Sequence, residues 1–426
     1  MKLIYQCKQY LITLLFCLVF VAPTRSFSIL AHEAIIDAGW TSHIKPLLLK
    51  KYPLATPEEL EKAHAYAYGG CLVADMGYMP FGCPYFTNLL HYVRSGDFIM
   101  QLLNDAQNLN EYAFALGAVS HYMADKYGHQ LATNLSVGIA NPKLKKQFGD
   151  VVTYDNDHTS HSSMEFAYDV IQTVKGNYAS TAYHNFIGFN MATPLVKRAF
   201  LKIYGQDLNT IFPNFESAIN TFRWGVRDFF PELANVAWKS DKAGIKQSGN
   251  AISRKTFAYT MPQSAFDKKF GTAYQHPGIM ARLLAHTIQR LPKIGFLKKM
   301  GFKYPGVKCE ELFLKSMDSI MVNYTQALNK AGQNQLMLVN IDFDTGKMAT
   351  VCEYALADMT YKEWVARLQN DQYAQITPTL KQNIVAFYSN TYLVNLMVNC
   401  NDEDKKPVDD LAPKYSQNLK GLLNYR

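Results

Sequence analysis

Cysteine is scarce in this 426-residue chain, with 7 residues. Cys7 and Cys17 lie in the first 26 residues, leaving Cys71, Cys83, Cys309, Cys352 and Cys400 beyond them. Five thiols spread this thinly exclude a disulfide scaffold. Cys71 with Cys83 is the most local pair an oxidising compartment would permit, and buried free thiols are the alternative. Charge is sparse too, at 18% of residues against 48% hydrophobic, which excludes a disordered chain and leaves ample material for a core. Beyond residue 26 no stretch is apolar enough to span a membrane. Internal repeats and low-complexity tracts are lacking, which excludes a repeat array.

The first 26 residues have the pattern of a secretory signal. Lys2 and Lys8 give a basic start, and Tyr10 to Ala22 is an apolar stretch short for a bilayer span. Thr24 and Ser26 are small residues at the −3 and −1 positions of a cut before Phe27. An uncleaved anchor is the alternative; a lipoprotein cut at Cys17 is disfavoured by bulky Leu15 and Phe16. The expected location is secreted or periplasmic. Cleavage removes Lys2, Lys8 and Arg25 and no acid, lowering the net charge from +8 to +5. That mild excess suits an anionic substrate or surface without specifying nucleic acid.

What is present reads as helix. Thr56-Pro57-Glu58 is an N-terminal signal for a helix over Glu58–Tyr68. Asn110–Tyr127 is apolar nearly all round, with small Ala113, Ala115, Gly117 and Ala118, as expected at the centre of a bundle. Further helices are predicted at Met164–Val174, Ala192–Tyr204, Asn214–Phe230, Pro277–Arg290, Glu310–Ala331, Tyr361–Leu368 and Leu380–Val398. Lys239–Lys255 is polar, basic and Gly/Ser-containing, and reads as a linker or surface loop. Asp344-Thr345-Gly346 between apolar runs predicts a small hairpin, a reading that outweighs cation binding by Asp342 and Asp344. The expected organisation is a signal over 1–26, a catalytic domain over 27–238, and a mainly helical region over 239–426 that extends the same domain or covers its cleft.

Eight of the 11 His precede residue 162, so candidate chemistry lies in the N-terminal part. His121, Asp125 and His129 follow one another at four-residue intervals. On a helix that spacing turns the face by only about 40° per step, so the three share a side. His161 and Glu165 repeat the interval. With His32, Asp75 and His91 they form a set of imidazoles and carboxylates suited to a metal inside a helical bundle.

These segments, in this order, resemble the zinc-dependent phospholipase C family, whose superfamily includes three-zinc single-strand nucleases and the zinc domain of a glycosylphosphatidylinositol-specific phospholipase D. The resemblance covers about residues 27–175. It is carried by Phe27 to His32, Tyr68 to Asp75, Leu90-His91-Tyr92, His121 to Asp125, and His161 to Glu165. It implies an all-α multi-helix bundle of the phospholipase C and nuclease type, with additional C-terminal helices, holding three zinc ions. Asp75, His91, His121 and Asp125 would take one ion. Asp125, His32 and the amine and carbonyl of Phe27 would take a second, and His129, His161 and Glu165 a third. The Phe27 amine becomes available only after processing. Phe27 stands where many members have Trp, and the four-residue Asp125–His129 gap matches the phospholipase D branch.

The implied activity is phosphodiester hydrolysis, foremost a phospholipase C releasing diacylglycerol and a phosphorylated head group. Zinc lowers the pKa of bound water to roughly 7 and neutralises phosphate charge. Asp75 is the candidate to orient or deprotonate that water, besides serving as a ligand. The alternatives are a three-zinc nuclease, a phospholipase D-type hydrolase and a non-catalytic zinc protein. The expected partners are phospholipid or another phosphodiester and a membrane surface met peripherally, with no stable nucleic-acid partner.

Several residues have plainer readings. His158 is a reserve ligand or a loop histidine. Asp169 is expected to orient a ligand histidine. His184, His276 and His286 are read as structural. Tyr66, Tyr68, Tyr78, Phe81, Tyr85 and Phe86 flank Asp75; some could line a cleft, more belong to the core. Ile294–Tyr304 mixes Phe and Met with Lys, which suits an anionic bilayer or an ordinary half-buried helix. Asn134 and Asn323 head glycosylation sequons.

Overall fold

The computed structural model describes residues 29–78, 81–175, 189–226, 241–248 and 303–389. The expected signal, Phe27, the helix at Pro277–Arg290, His184, His276, His286 and all of Ile294–Tyr304 except Lys303 and Tyr304 lie outside them.

Helix α1 (Ile29–Gly39) runs through a wide π-turn (Trp40–Ile44) into α2 (Lys45–Lys51). Helix α3 (Pro57–Leu72) begins with a reciprocal cap. The Glu59 N–H donates to the Thr56 hydroxyl at 3.2 Å, and the Thr56 N–H donates to the Glu59 carboxylate at 2.9 Å. Such a cap contributes about 1 kcal/mol. A 3₁₀ turn (Val73–Tyr78) leads on to α4 (Pro84–Tyr92) and α5 (Ser95–Asp105).

Helix α6 (Leu109–Gly128) is the axis of the molecule, buried continuously from Glu111 to Asp125. It packs most extensively against α3. Two glycines set that approach: a Cβ on Gly117 would lie 2.0 Å from the Ala67 carbonyl oxygen, and one on Gly70 would lie 1.9 Å from that of Phe114. The chain then passes through a second π-turn (His129–Thr133) into α7 (Asn134–Ala140) and α8 (Pro142–Phe148). Helix α9 (His158–Lys175) follows, then α10 (Thr193–Tyr204), α11 (Leu208–Ile211) and α12 (Phe215–Trp224).

The segment read as a linker contains a short helix, α13 (Lys242–Ser248), packed against α9. Its start is fixed by the Asp241 carboxylate, which accepts the Gly244 N–H at 2.9 Å. An Asp cap outweighs the Gly/Ser composition here.

The C-terminal half supplies α14 (Val307–Ala331), α15 (Ala355–Asn370) and α16 (Pro378–Ser389). It packs into the same core: the Tyr324 hydroxyl donates to the Leu116 carbonyl at 3.0 Å, and Trp364 Nε1–H donates to that of Tyr204 at 2.8 Å. The expected hairpin is present between α14 and α15, with one antiparallel bridge joining Ile341 and Met348. The fold is all-α; among the described residues no strand forms beyond that bridge. Among them, too, no helix is long and apolar enough to cross a membrane. Cys71 and Cys83 are free thiols: Cys71 is buried and donates to the Tyr68 carbonyl at 3.2 Å.

Candidate metal centre

Each candidate ligand within the described residues is placed by a different local device. His32 sits on α1, whose first turn is held by Asp169: its two carboxylate oxygens accept the Leu30 and Ala31 N–H groups at 3.1 Å each. Asp169 therefore caps the helix that carries His32; the N–H groups of a first helical turn draw a buried carboxylate strongly. Asp75 lies on the 3₁₀ turn and His91 on the last turn of α4. His121 and Asp125 occupy consecutive turns of α6. The helix continues through Gly128 and then widens at His129, which turns that residue towards α9. His161 and Glu165 face it from α9.

All eight residues are at most 3% exposed. They fall into three groups whose ligand atoms lie within 4.8 Å of one another: His32, His121 and Asp125; Asp75, His91 and His121; and His129, His161 and Glu165. Asp125 stands between the first two. One of its oxygens is 3.4 Å from His32 Nε2; the other is 3.1 Å from His121 Nε2 and 3.5 Å from His91 Nε2. Asp75 Oδ1 is also 3.5 Å from His91 Nε2. In the third group Glu165 Oε1 is 3.1 Å from His129 Nε2 and 2.9 Å from His161 Nε2. The His32 and His121 rings stack with centroids 4.5 Å apart.

The ring orientations favour a metal. His91 Nδ1 faces the Thr87 carbonyl at 2.9 Å, His121 Nδ1 that of Cys71 at 2.8 Å, and His129 Nδ1 that of Phe343 at 2.9 Å. A carbonyl can only accept, so each Nδ1 carries a proton and Nε2 is the nitrogen left, once deprotonated, to bind a metal. Within this site, His121 Nε2, both Asp125 oxygens, both His161 ring nitrogens and Glu165 Oε2 are buried and make no hydrogen bond among the described residues. Leaving so many buried polar atoms unsatisfied costs several kcal/mol unless something else binds them. Imidazole and carboxylate, with no thiolate in any group, form a donor set that fits zinc.

The electrostatics agree. Burial pushes the Asp125 carboxyl up, but His121 and His129 outweigh it and hold the group well below the usual range. Burial pulls His121 down, yet Asp125 and Asp75 raise it to about 9. His129 is likewise raised to about 10 against its burial, by Asp125 and Glu165. His32 moves the other way, lowered by burial and by His121. The pocket is thus built for positive charge.

Other candidates lie apart. His158 stacks on Tyr154 with centroids 4.1 Å apart and joins none of the three groups. His64 pairs with Asp37 at 3.0 Å and stacks on Trp40, and His43 is in no group. Tyr68, Tyr78, Tyr85 and Phe86 are buried, and Phe81 is exposed. Asn134 is buried and donates from Nδ2 to the Asp344 carbonyl at 2.7 Å, so its sequon is not a surface acceptor.

Sequence reasoning missed Phe343 as a neighbour of the centre and ranked cation binding by Asp344 below a turn. Their contact with His129 spans more than 200 residues. Residues 31–213 match the model of a family described as zinc dependent phospholipase C. No curated protein and no solved structure matches the chain.

Proposed function

We propose that this chain, whose residues 31–213 belong to the zinc-dependent phospholipase C family, is a secreted phosphodiesterase that hydrolyses phospholipids to diacylglycerol and a phosphorylated head group. The observation that carries the reading is Asp125, a fully buried carboxylate with three imidazole Nε2 atoms 3.1–3.5 Å from its oxygens. Asp75, His91, His121 and Asp125 would hold one zinc, and His129, His161 and Glu165 another. His32 and Asp125, joined by the Phe27 amine once the first 26 residues are removed, would hold a third. Bound zinc supplies a water of lowered pKa and neutralises the charge that builds on a phosphodiester under attack.

The protein's own groups do the rest. The carbonyls of Thr87, Cys71 and Phe343 fix the imidazoles in one tautomer. Asp75, 1% exposed and directed at His91, is placed to orient the attacking water and take its proton at a carboxylate oxygen. The low exposure of the eight described residues of the site keeps bulk water from screening these charges. A nuclease would need aromatic faces open to unpaired bases beside the centre. Of the aromatic residues flanking Asp75 only Phe81 is well exposed, which favours a lipid over single-stranded nucleic acid.

Phosphorus NMR of mixed phospholipid vesicles incubated with the mature protein, with a chelated control, tests the reading. Phosphorylated head groups should appear only in the presence of metal. Phosphatidate would instead make the reaction that of a phospholipase D, and an unchanged spectrum would overturn lipid as the substrate.

A further inference from the structure

The hairpin between α14 and α15 lies outside residues 31–213, yet it closes directly on the metal centre. Its two arms are joined by the Asp342 N–H to the Lys347 carbonyl at 2.9 Å and the Ala349 N–H to that of Asn340 at 3.3 Å. Its tip is set by the Asp342 carboxylate, which accepts the Thr345 N–H at 2.6 Å, and by Gly346 at φ 69°. The segment between these features points inward. The Phe343 N–H donates to the His91 carbonyl at 3.1 Å, while the Phe343 ring meets the rings of His91 and His121 at 5.3 and 5.5 Å.

Asp344 holds that segment in place. It is 3% exposed. Its Oδ2 accepts from the Tyr92 hydroxyl at 2.8 Å and from the Tyr354 hydroxyl, and its carbonyl accepts from Asn134 Nδ2 at 2.7 Å. Those bonds tie it to α4, to the residue before α15 and to α7. So anchored, the neighbouring Phe343 carbonyl meets His129 Nδ1 at 2.9 Å. Asp344 Oδ1 lies 3.7 Å from the same nitrogen. This is the side of the ring away from Glu165, which faces Nε2 at 3.1 Å. His91 and His121 take their carbonyl partners from within the matched region; His129 takes its own from the far half of the chain.

We propose that Asp344 is a positioning residue of the His129–His161–Glu165 site, holding the Phe343 carbonyl against His129 Nδ1 so that Nε2 is presented to a metal ion. The proposal rests on reading that triad as a zinc site. Carboxylates accept hydroxyl donors strongly, and here one oxygen takes two. An amide oxygen can accept the same pair, so Asp344→Asn preserves the anchor and Asp344→Ala removes it.

The test compares full-length wild type, D344A, D344N, Tyr354→Phe and His129→Ala by zinc titration against a chromophoric chelator, with far-UV circular dichroism on each. D344A should weaken by about 10–100-fold the ion that His129→Ala also weakens, as loss of an outer-shell partner does. Its helix content and its other two zinc ions should remain. D344N should stay with wild type. Tyr354→Phe removes one of the two donors and should give a smaller loss in the same direction, which keeps the proposal testable if D344A does not fold. Wild-type zinc affinity in D344A, or in Tyr354→Phe where D344A does not fold, overturns the proposal. A loss of equal size in D344N overturns it too, because the charge and not the anchor would then be at work. Wild type without zinc would instead overturn the underlying reading of the triad.

Discussion

Asp125 shows how a single residue organises the centre. Its neighbours His121 and His129 are raised to about 9 and about 10, above the ordinary histidine value of 6.5. In the metal-free protein the protons they gain on folding therefore stabilise the fold fully below about pH 6.5, and that contribution is lost as pH rises through 9 to 10. Zinc needs the same nitrogens deprotonated, so its affinity rises over that window. The chelated protein should melt at progressively lower temperature from pH 7 to pH 10, while the gap to the zinc-saturated protein widens. A chelated Tm that is flat or rising there would contradict the charge balance described. Asp75 calls for a kinetic test. Asp75→Asn keeps a side chain of the same shape and should abolish turnover with the helical spectrum intact; full activity would remove it from the reaction. The grouping of the candidate residues on α6 and α9 was legible in the sequence because four-residue spacing on a helix is itself a geometric statement. The bonds that the Asp169 carboxylate accepts from the N–H groups of Leu30 and Ala31 were not legible, because those residues lie 139 and 138 positions away.

At the scale of elements, spacing of apolar residues and caps located α3, α6, α9, α10, α12, α14, α15 and α16, while α1, α2, α4, α5, α7 and α8 were not read from the sequence; the close approach of α3 to α6 also depends on something the pattern does not show. Gly117 could be read only as a small residue on a buried helix; the structure adds that its missing Cβ makes room for the Ala67 carbonyl. Gly117→Ala has the better helix propensity by about 1 kcal/mol, but it must push apart two backbones and should destabilise by about 1–3 kcal/mol net. Urea unfolding checks the sign, and a stabilised G117A would mean that the helices can separate freely. The start of α15 carries another prediction. Asp358, most of whose surface is covered, accepts the Cys352 N–H at 3.0–3.1 Å, and burial raises its carboxyl to about 7. An acid raised in the fold contributes stability that is full below about pH 4 and is lost as pH climbs through 7. Asp358→Asn keeps an acceptor for Cys352 without the titration, so its Tm advantage over wild type should grow from pH 5 to pH 8. An advantage independent of pH would show that Asp358 is ionised in the fold throughout.

For the whole molecule, the question is whether the matched region stands alone. The sequence placed the chemistry before residue 176 and assigned the later half to extra helices or a cover, because histidines thin out there. Helical periodicity shows that α14 has a buried face but not what it is buried against. In the structure Cys309, Phe313, Ile320, Tyr324 and Leu328 form that face, and α6, which carries His121 and Asp125, is one of its main partners. Trp364 of α15 is fully buried and bonded to the carbonyl at the end of α10. Exposing such a face removes several side chains worth about 1.5–3 kcal/mol each from the core, comparable in sum with the whole stability of a typical domain. It also removes the Phe343 carbonyl from His129. A chain ending at residue 226 should therefore be poorly soluble or lack a cooperative melt, and should show no zinc-dependent rise in Tm. The milder Trp364→Ala should cost about 3–5 kcal/mol and, because the halves share one core, should lower the melt of the entire protein without splitting it. A truncated chain that melts cooperatively and responds to zinc as the full chain does would make the C-terminal half an accessory to the metal centre and not a part of it.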